Sequence, residues 1–200
     1  MRLRLAAGAA SLLCLSLTAA SAGPAVDAAR AGDMAELTAL LADPAALNER
    51  DATGETPLIA ASLAGNTEIV VELIKRGADV QARNDRGMTA LHAAAFSGDL
   101  ASVEALVAAG IAVDDADNKF KVTPLLVSAE EDRIEVFKYL LAQGADVSLT
   151  ERHGYNVLSR AGFKGRSDVI AILLENGAVC QEADPIWFKE CNRLKAEMGL

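Results

Sequence analysis

The sequence predicts an all-α-dominated fold, a solenoid of stacked helix-turn-helix units with β-turn fingers and a cap at each end. Three observations predict it. The 200 residues are 52% hydrophobic but only 4% aromatic, so alanine and leucine carry the apolar content and favour closely packed helices. No stretch sustains the period-two alternation of a half-buried strand. Finally, two landmarks recur with one period. Gly77, Gly110, Gly144 and Gly177 are spaced 33, 34 and 33 residues apart, and so are Thr56, Thr89, Thr123 and Asn156. A period of this length marks a repeat protein. The extra residue lies between Gly110 and Thr123.

Residues 1–22 read as a secretory signal peptide. Arg2 and Arg4 precede an apolar run that ends in Ala20-Ser21-Ala22, the charge, core and cleavage-site order of such a segment. The run is short and rich in small residues for a membrane span. Cys14 follows Leu13, not the small residue that a lipoprotein signal requires. The expected location is therefore periplasmic or secreted, with no membrane attachment after cleavage. Losing Arg2 and Arg4 takes the net charge from −9 to −11. So acidic a chain excludes nucleic acid, whose phosphates need a basic face, and is expected to meet a basic or neutral protein.

Residues 24–50 read as an N-terminal capping repeat without its turn. Asp27, Arg30, Glu36 and Asn48 are expected to make its outer face polar. Four repeats follow, at 51–83, 84–117, 118–150 and 151–180. In each, a pair such as Thr56-Pro57 opens a first helix, with threonine as cap and proline in the first turn. A break at "AGN", "SGD" or "KGR" comes next. A second helix then carries an apolar stripe, as in "EIVVELIK" or "DVIAILLE". It ends at a glycine suited to a left-handed cap. One such pair cannot bury its apolar face alone, whereas stacked neighbours share a continuous core. Residues 181–200 supply a capping helix, with Asp184 as its cap, Pro185 at its first position, and Trp187 and Phe188 covering the last repeat.

The segment from Asp51 to Arg83, "DATGETPLIAASLAGNTEIVVELIKRGADVQAR", resembles an ankyrin repeat throughout. The next, "NDRGMTALHAAAFSGDLASVEALVAAGIAVDDAD", does so as well. The third departs where Lys121 and Asp132 replace glycines. The fourth keeps Gly154, Gly165 and Gly177 but lacks the threonine and proline. The resemblance spans about residues 24–180 and extends to exported bacterial ankyrin-repeat proteins. It implies a non-catalytic protein-protein interaction module that binds an unknown partner through its concave face of fingers and inner helices. Family analogy adds roles in oxidative-stress protection or toxin immunity.

The resemblance also implies which residues face the partner. The tip positions include Asp85, Arg86 and Met88, then Lys119 and Phe120, then Arg152, His153 and Tyr155. Thr53, Glu55 and Val122 join them. The inner-helix positions are Leu63, Phe96, Glu130, Glu131, Phe163 and Lys164. Phe120 and Tyr155 are either binding aromatics or rings lying flat on neighbouring fingers. Phe96 and Phe163 are expected to pack partly within the stack.

Little else carries chemistry. In "TALH", His92 holds the place of a structural histidine in the resembling family. His92 and His153 lack metal-ligand spacing, and no nucleophile elbow or phosphate-cradling loop occurs. No catalytic residue, cofactor or metal is therefore expected. The alternative reading is a redox-active or hydrolytic accessory protein using Cys180 and Cys191, or His92. Those cysteines form an even pair in an exported chain, which points to a disulfide. The other possibility is two free thiols.

Overall fold

The computed structural model describes residues 23–182 and 185–200. The signal segment, with Cys14, and the expected cap Asp184 lie outside the described residues. Among the described residues the chain is helical, with no strand. Helices come in antiparallel pairs: α1 (Pro24–Ala31) with α2 (Met34–Leu40), α3 (Pro57–Ala64) with α4 (Thr67–Lys75), and α5 (Ala90–Ser97) with α6 (Leu100–Ala108). Then come α7 (Pro124–Glu130) with α8 (Ile134–Ala142), α9 (Val157–Lys164) with α10 (Ser167–Glu175), and the single α11 (Pro185–Glu197). First helices pack on first helices along one layer, and second helices form the other.

Residue type explains both layers. Each interior first helix, α3, α5 or α7, has a first helix on either side and its own second helix behind. It is therefore buried nearly all round, and α5 buries Ala90 through Ala95 without a break. Alanines there let neighbouring backbones approach. The second helices meet solvent on their far side and bury only a stripe: Ile69, Val70 and Leu73 in α4, and Val136, Phe137 and Leu140 in α8. Each such side chain contributes about 1.5–3 kcal/mol when fully buried.

The caps follow the sequence closely. Thr56 Oγ1 accepts from Ile59 N at 3.3 Å and Thr123 Oγ1 from Leu126 N at 3.2 Å. In the fourth repeat Asn156 does the threonine's work, its Oδ1 accepting from Ser159 N at 3.0 Å. Lys121 and Asp132 take φ of 55° and 59°, the left-handed conformation that Gly87 and Gly98 hold one repeat earlier. The backbone path survives there without the glycine that makes it easy.

Side chains at the start of the second helices lock each unit to the one before. Asn66 Nδ2 donates to Ala29 O at 2.9 Å, Arg133 Nε to Phe96 O at 3.0 Å and Arg166 Nη2 to Glu130 O at 2.7 Å. They satisfy carbonyls that the end of a helix leaves free.

The N-terminal unit departs from expectation. Arg30 and Asn48 do not simply coat its outer face. Arg30 reaches Asp51 at 2.9 Å and Glu55 at 3.1 Å, while also pairing with Asp27. Asn48 Oδ1 accepts from Asp79 N at 2.9 Å. The unit has no finger of its own, so the end of α1 faces the carboxylates of the first finger directly. Glu36 is exposed as expected.

At the other end Trp187 is buried and Phe188 is half-buried against the core. Cys180 and Cys191 place their sulfurs 2.04 Å apart, with Cα atoms 5.9 Å apart. Both side chains are buried.

Candidate partner-binding groove

The fingers are built from short-range hydrogen bonds. Asn84 Oδ1 accepts from Arg86 N and Met88 N, both at 3.0 Å. Asn118 Oδ1 accepts from Phe120 N and Val122 N, both at 3.1 Å. Asp51 does the same with Thr53 N and Glu55 N. Such side-chain-to-backbone bonds are what turns favour. Glu151 heads the fourth finger. Burial pushes its pKa up, but hydrogen bonds from His153 and from Tyr155 N outweigh that and hold it below the ordinary glutamate value.

Adjacent fingers are also zipped together. Asp85 N donates to Thr53 O at 3.1 Å, Lys119 N to Arg86 O at 3.0 Å and Arg152 N to Phe120 O at 2.9 Å. Tip residues are thereby held at fixed spacing on a rigid frame.

His92 belongs to that frame. It is 1% exposed. Its Nδ1 lies 2.9 Å from Thr89 Oγ1 and 3.3 Å from Thr89 N, closing a capping box on α5. Its Nε2 lies 3.0 Å from Val122 O in the next finger. A ring that accepts from Thr89 N and donates to Val122 O is neutral. Burial agrees, pushing its pKa below the ordinary 6.5.

Between the fingers and the first helices of repeats 1–3 runs a groove of about 460 Å³. Arg86, Met88, Phe120 and Val122 form the finger wall. Leu63, Phe96 and Val127 line the helix side, with Glu130 and Glu131 beside them and Ile59, His92 and Leu126 at the base, and Glu55 lines it from the first finger. Leu63 is 39%, Phe96 46% and Phe120 38% exposed, all large and apolar.

Stacked helix pairs, zipped fingers and a concave groove form one architecture. A family model described as ankyrin repeats (3 copies) matches residues 26–117 and 111–184. The chain belongs to the ankyrin-repeat family. No curated protein matches it significantly. Ankyrin repeats generally mediate protein-protein interaction, and the family is typically non-enzymatic.

Within this ankyrin stack the residues singled out from sequence fall into three places. Arg86, Met88 and Phe120 line the groove. Asp85 and Lys119 share with Arg86 a shallow polar hollow on the tips, next to Thr53 and Glu55. Arg152, His153 and Tyr155 lie beyond, on the fourth finger. The Arg152 guanidinium sits over Phe120, 5.5 Å from the ring centre, a cation-π contact. His153 Nδ1 lies 2.8 Å from Glu151 Oε2. Tyr155 meets Phe163 edge to face, with ring centres 5.1 Å apart. Phe120 and Tyr155 thus each have a neighbour, yet Phe120 stays open to the groove.

Phe96 and Phe163 pack only partly within the stack; they are 46% and 52% exposed. Both sit in the last turn of a first helix, two residues before the mid-repeat glycine. No further element covers that turn, so the side chain projects on the finger side. Val127 was not anticipated as a lining residue, nor was Arg160 as the ion-pair partner of Glu130. Its repeat equivalents Ala60 and Ala93 gave no signal for a larger side chain.

Among the described residues no group of three or more His, Cys, Asp or Glu side chains is placed to hold a metal ion. No described helix is long and apolar enough to cross a membrane.

Proposed function

We propose that this ankyrin protein is an exported, non-catalytic binding module whose protein partner docks in the groove between the fingers and first helices. The observation that carries the reading is the cluster of Leu63, Phe96 and Phe120, three large apolar side chains exposed around one cavity. Contiguous exposed apolar surface rimmed by polar residues marks interaction sites. The zipped fingers mean that little ordering entropy opposes docking. Tyr155 and Phe163 extend the surface toward the fourth finger.

The test is affinity capture from an exported protein fraction with the wild type and a Phe96→Ala/Phe120→Ala variant. Loss of specific partners by the variant supports the groove. Equal recovery of the same partners by both sinks it. Export has its own test: the mass of the protein purified from that fraction should correspond to a chain starting near Gly23, and an intact N-terminus would overturn it.

The redox or hydrolytic alternative is less well supported. Both ring nitrogens of His92 are engaged by the scaffold, and Cys180 and Cys191 are buried. An oxidative-stress or toxin-immunity role remains an analogy from fold, and a binding module can serve either.

A further inference from the structure

The charges around the groove are sorted by wall. On the finger side Arg86, Lys119 and Lys121 are exposed and make no ion pair among the described residues. Arg152 adds a fourth cation, resting on Phe120. Asp85 is the one exposed carboxylate at these three tips; Glu151 is buried and hydrogen-bonded within its finger. On the helix side the signs reverse. Glu130 is held by Arg160, while Glu131 lines the groove and makes no ion pair among the described residues; Glu55, on the first finger, is held by Arg30. A chain of net charge −9 therefore carries a cationic edge on its second to fourth fingers opposite one carboxylate without an ion pair, Glu131, with Met88, Phe96 and Phe120 between them; the exposed Arg133, bonded to Phe96 O, lies two residues beyond that carboxylate.

We propose that the groove takes an amphipathic segment of a partner protein with two charged edges. Its apolar side chains seat on Leu63, Met88, Phe96 and Phe120. Its acidic edge faces Arg86 and Lys119, and its basic edge faces Glu131. This rests on the groove being the docking site, and it replaces the expectation that overall acidity selects a basic partner. Like charges brought together on the wrong edge disfavour a reversed orientation, so the two edges set polarity as well as affinity.

Random peptides displayed and panned on the chain lacking residues 1–22 provide the probe. The enriched peptides should combine paired apolar residues with both acidic and basic ones. Their affinity should fall about tenfold in Arg86→Glu/Lys119→Glu, about tenfold in Glu131→Lys, and also in Phe96→Ala. Added salt should weaken binding to the wild type. These side chains are exposed or half-exposed, and matched unfolding curves establish that each variant folds. If affinity survives either charge reversal, the two-edged partner is wrong. If it also survives Phe96→Ala, or if no peptide is enriched, the groove itself is not the docking site. If only Phe96→Ala weakens binding, the groove stands and the charge assignment falls.

Discussion

The indole of Trp187 occupies the space that a side chain at Gly162 would fill: a Cβ placed there would overlap indole Cε2 and Cδ2. Gly162 lies inside α9, at the place held by Ala95 and Ala129 in earlier repeats. There the next unit is a first helix that tolerates an alanine. After the fourth repeat the next unit is α11, which presents a tryptophan, so the position must carry no side chain at all.

Gly162→Ala should therefore destabilise the chain, although alanine is the better helix former by roughly 1 kcal/mol. Overpacking of this kind costs about 1–3 kcal/mol. Urea unfolding measures the loss. The protein has a single tryptophan, so its native fluorescence should shift to the red if the indole is pushed out. An unchanged midpoint and spectrum would refute the contact.

His92 should make stability pH-dependent. Burial holds its folded pKa below the ordinary 6.5. As pH falls through that value the unfolded chain takes up a proton that the folded ring refuses. The contribution is thus fully present above about 6.5 and is lost progressively on acidification toward the folded value. His92→Gln should lose stability at neutral pH and show a shallower decline in unfolding free energy between neutral and mildly acidic pH. Parallel curves would sink the assignment.

Cys180 and Cys191 are an even pair with Cα atoms 5.9 Å apart, where α11 joins the last repeat. The protein should resist alkylation under native and denaturing conditions until a reductant is added. Cys180→Ser/Cys191→Ser should lower stability by about 2–3 kcal/mol and leave capture by the groove unchanged. Full alkylation of the untreated, denatured protein would mean free thiols.

Lys121 stands at φ 55°, where a side chain costs about 1–2 kcal/mol and glycine does not. The greater freedom of glycine in the unfolded chain returns about 0.5–1 kcal/mol of that. Lys121→Gly should still raise stability slightly, by about 0.5 kcal/mol from those opposing effects. Thermal unfolding tests the sign. The same change removes a finger cation, so it should weaken peptides that depend on the acidic edge.

Much of this was legible in the sequence because repeats make local signals redundant. The spacing of Gly77, Gly110, Gly144 and Gly177 locates the second helices of the four repeats. Thr56, Thr89, Thr123 and Asn156 locate their first helices, and Lys121 and Asp132 stand out as replaced glycines before any coordinates are known. Arg86, Met88 and Phe120 were found as tip residues because position in a repeat maps directly onto position on the concave face. How far Phe96 and Phe163 are covered is not legible in the sequence, for the opposite reason. Whether a ring at the end of a first helix is covered depends on what stands opposite it, and the period says nothing about that.

The sequence by itself determined the helix pairs, their caps and their order, since these depend on hydrogen bonds and apolar spacing within a few residues. Only the tertiary structure decided that Arg30 binds the first finger, that Gly162 makes room for Trp187, and that Arg86 and Glu131 line one groove. Those relations join residues about 20 to 45 positions apart. Stacking chooses those partners, because separate units must share one core before their surfaces can meet.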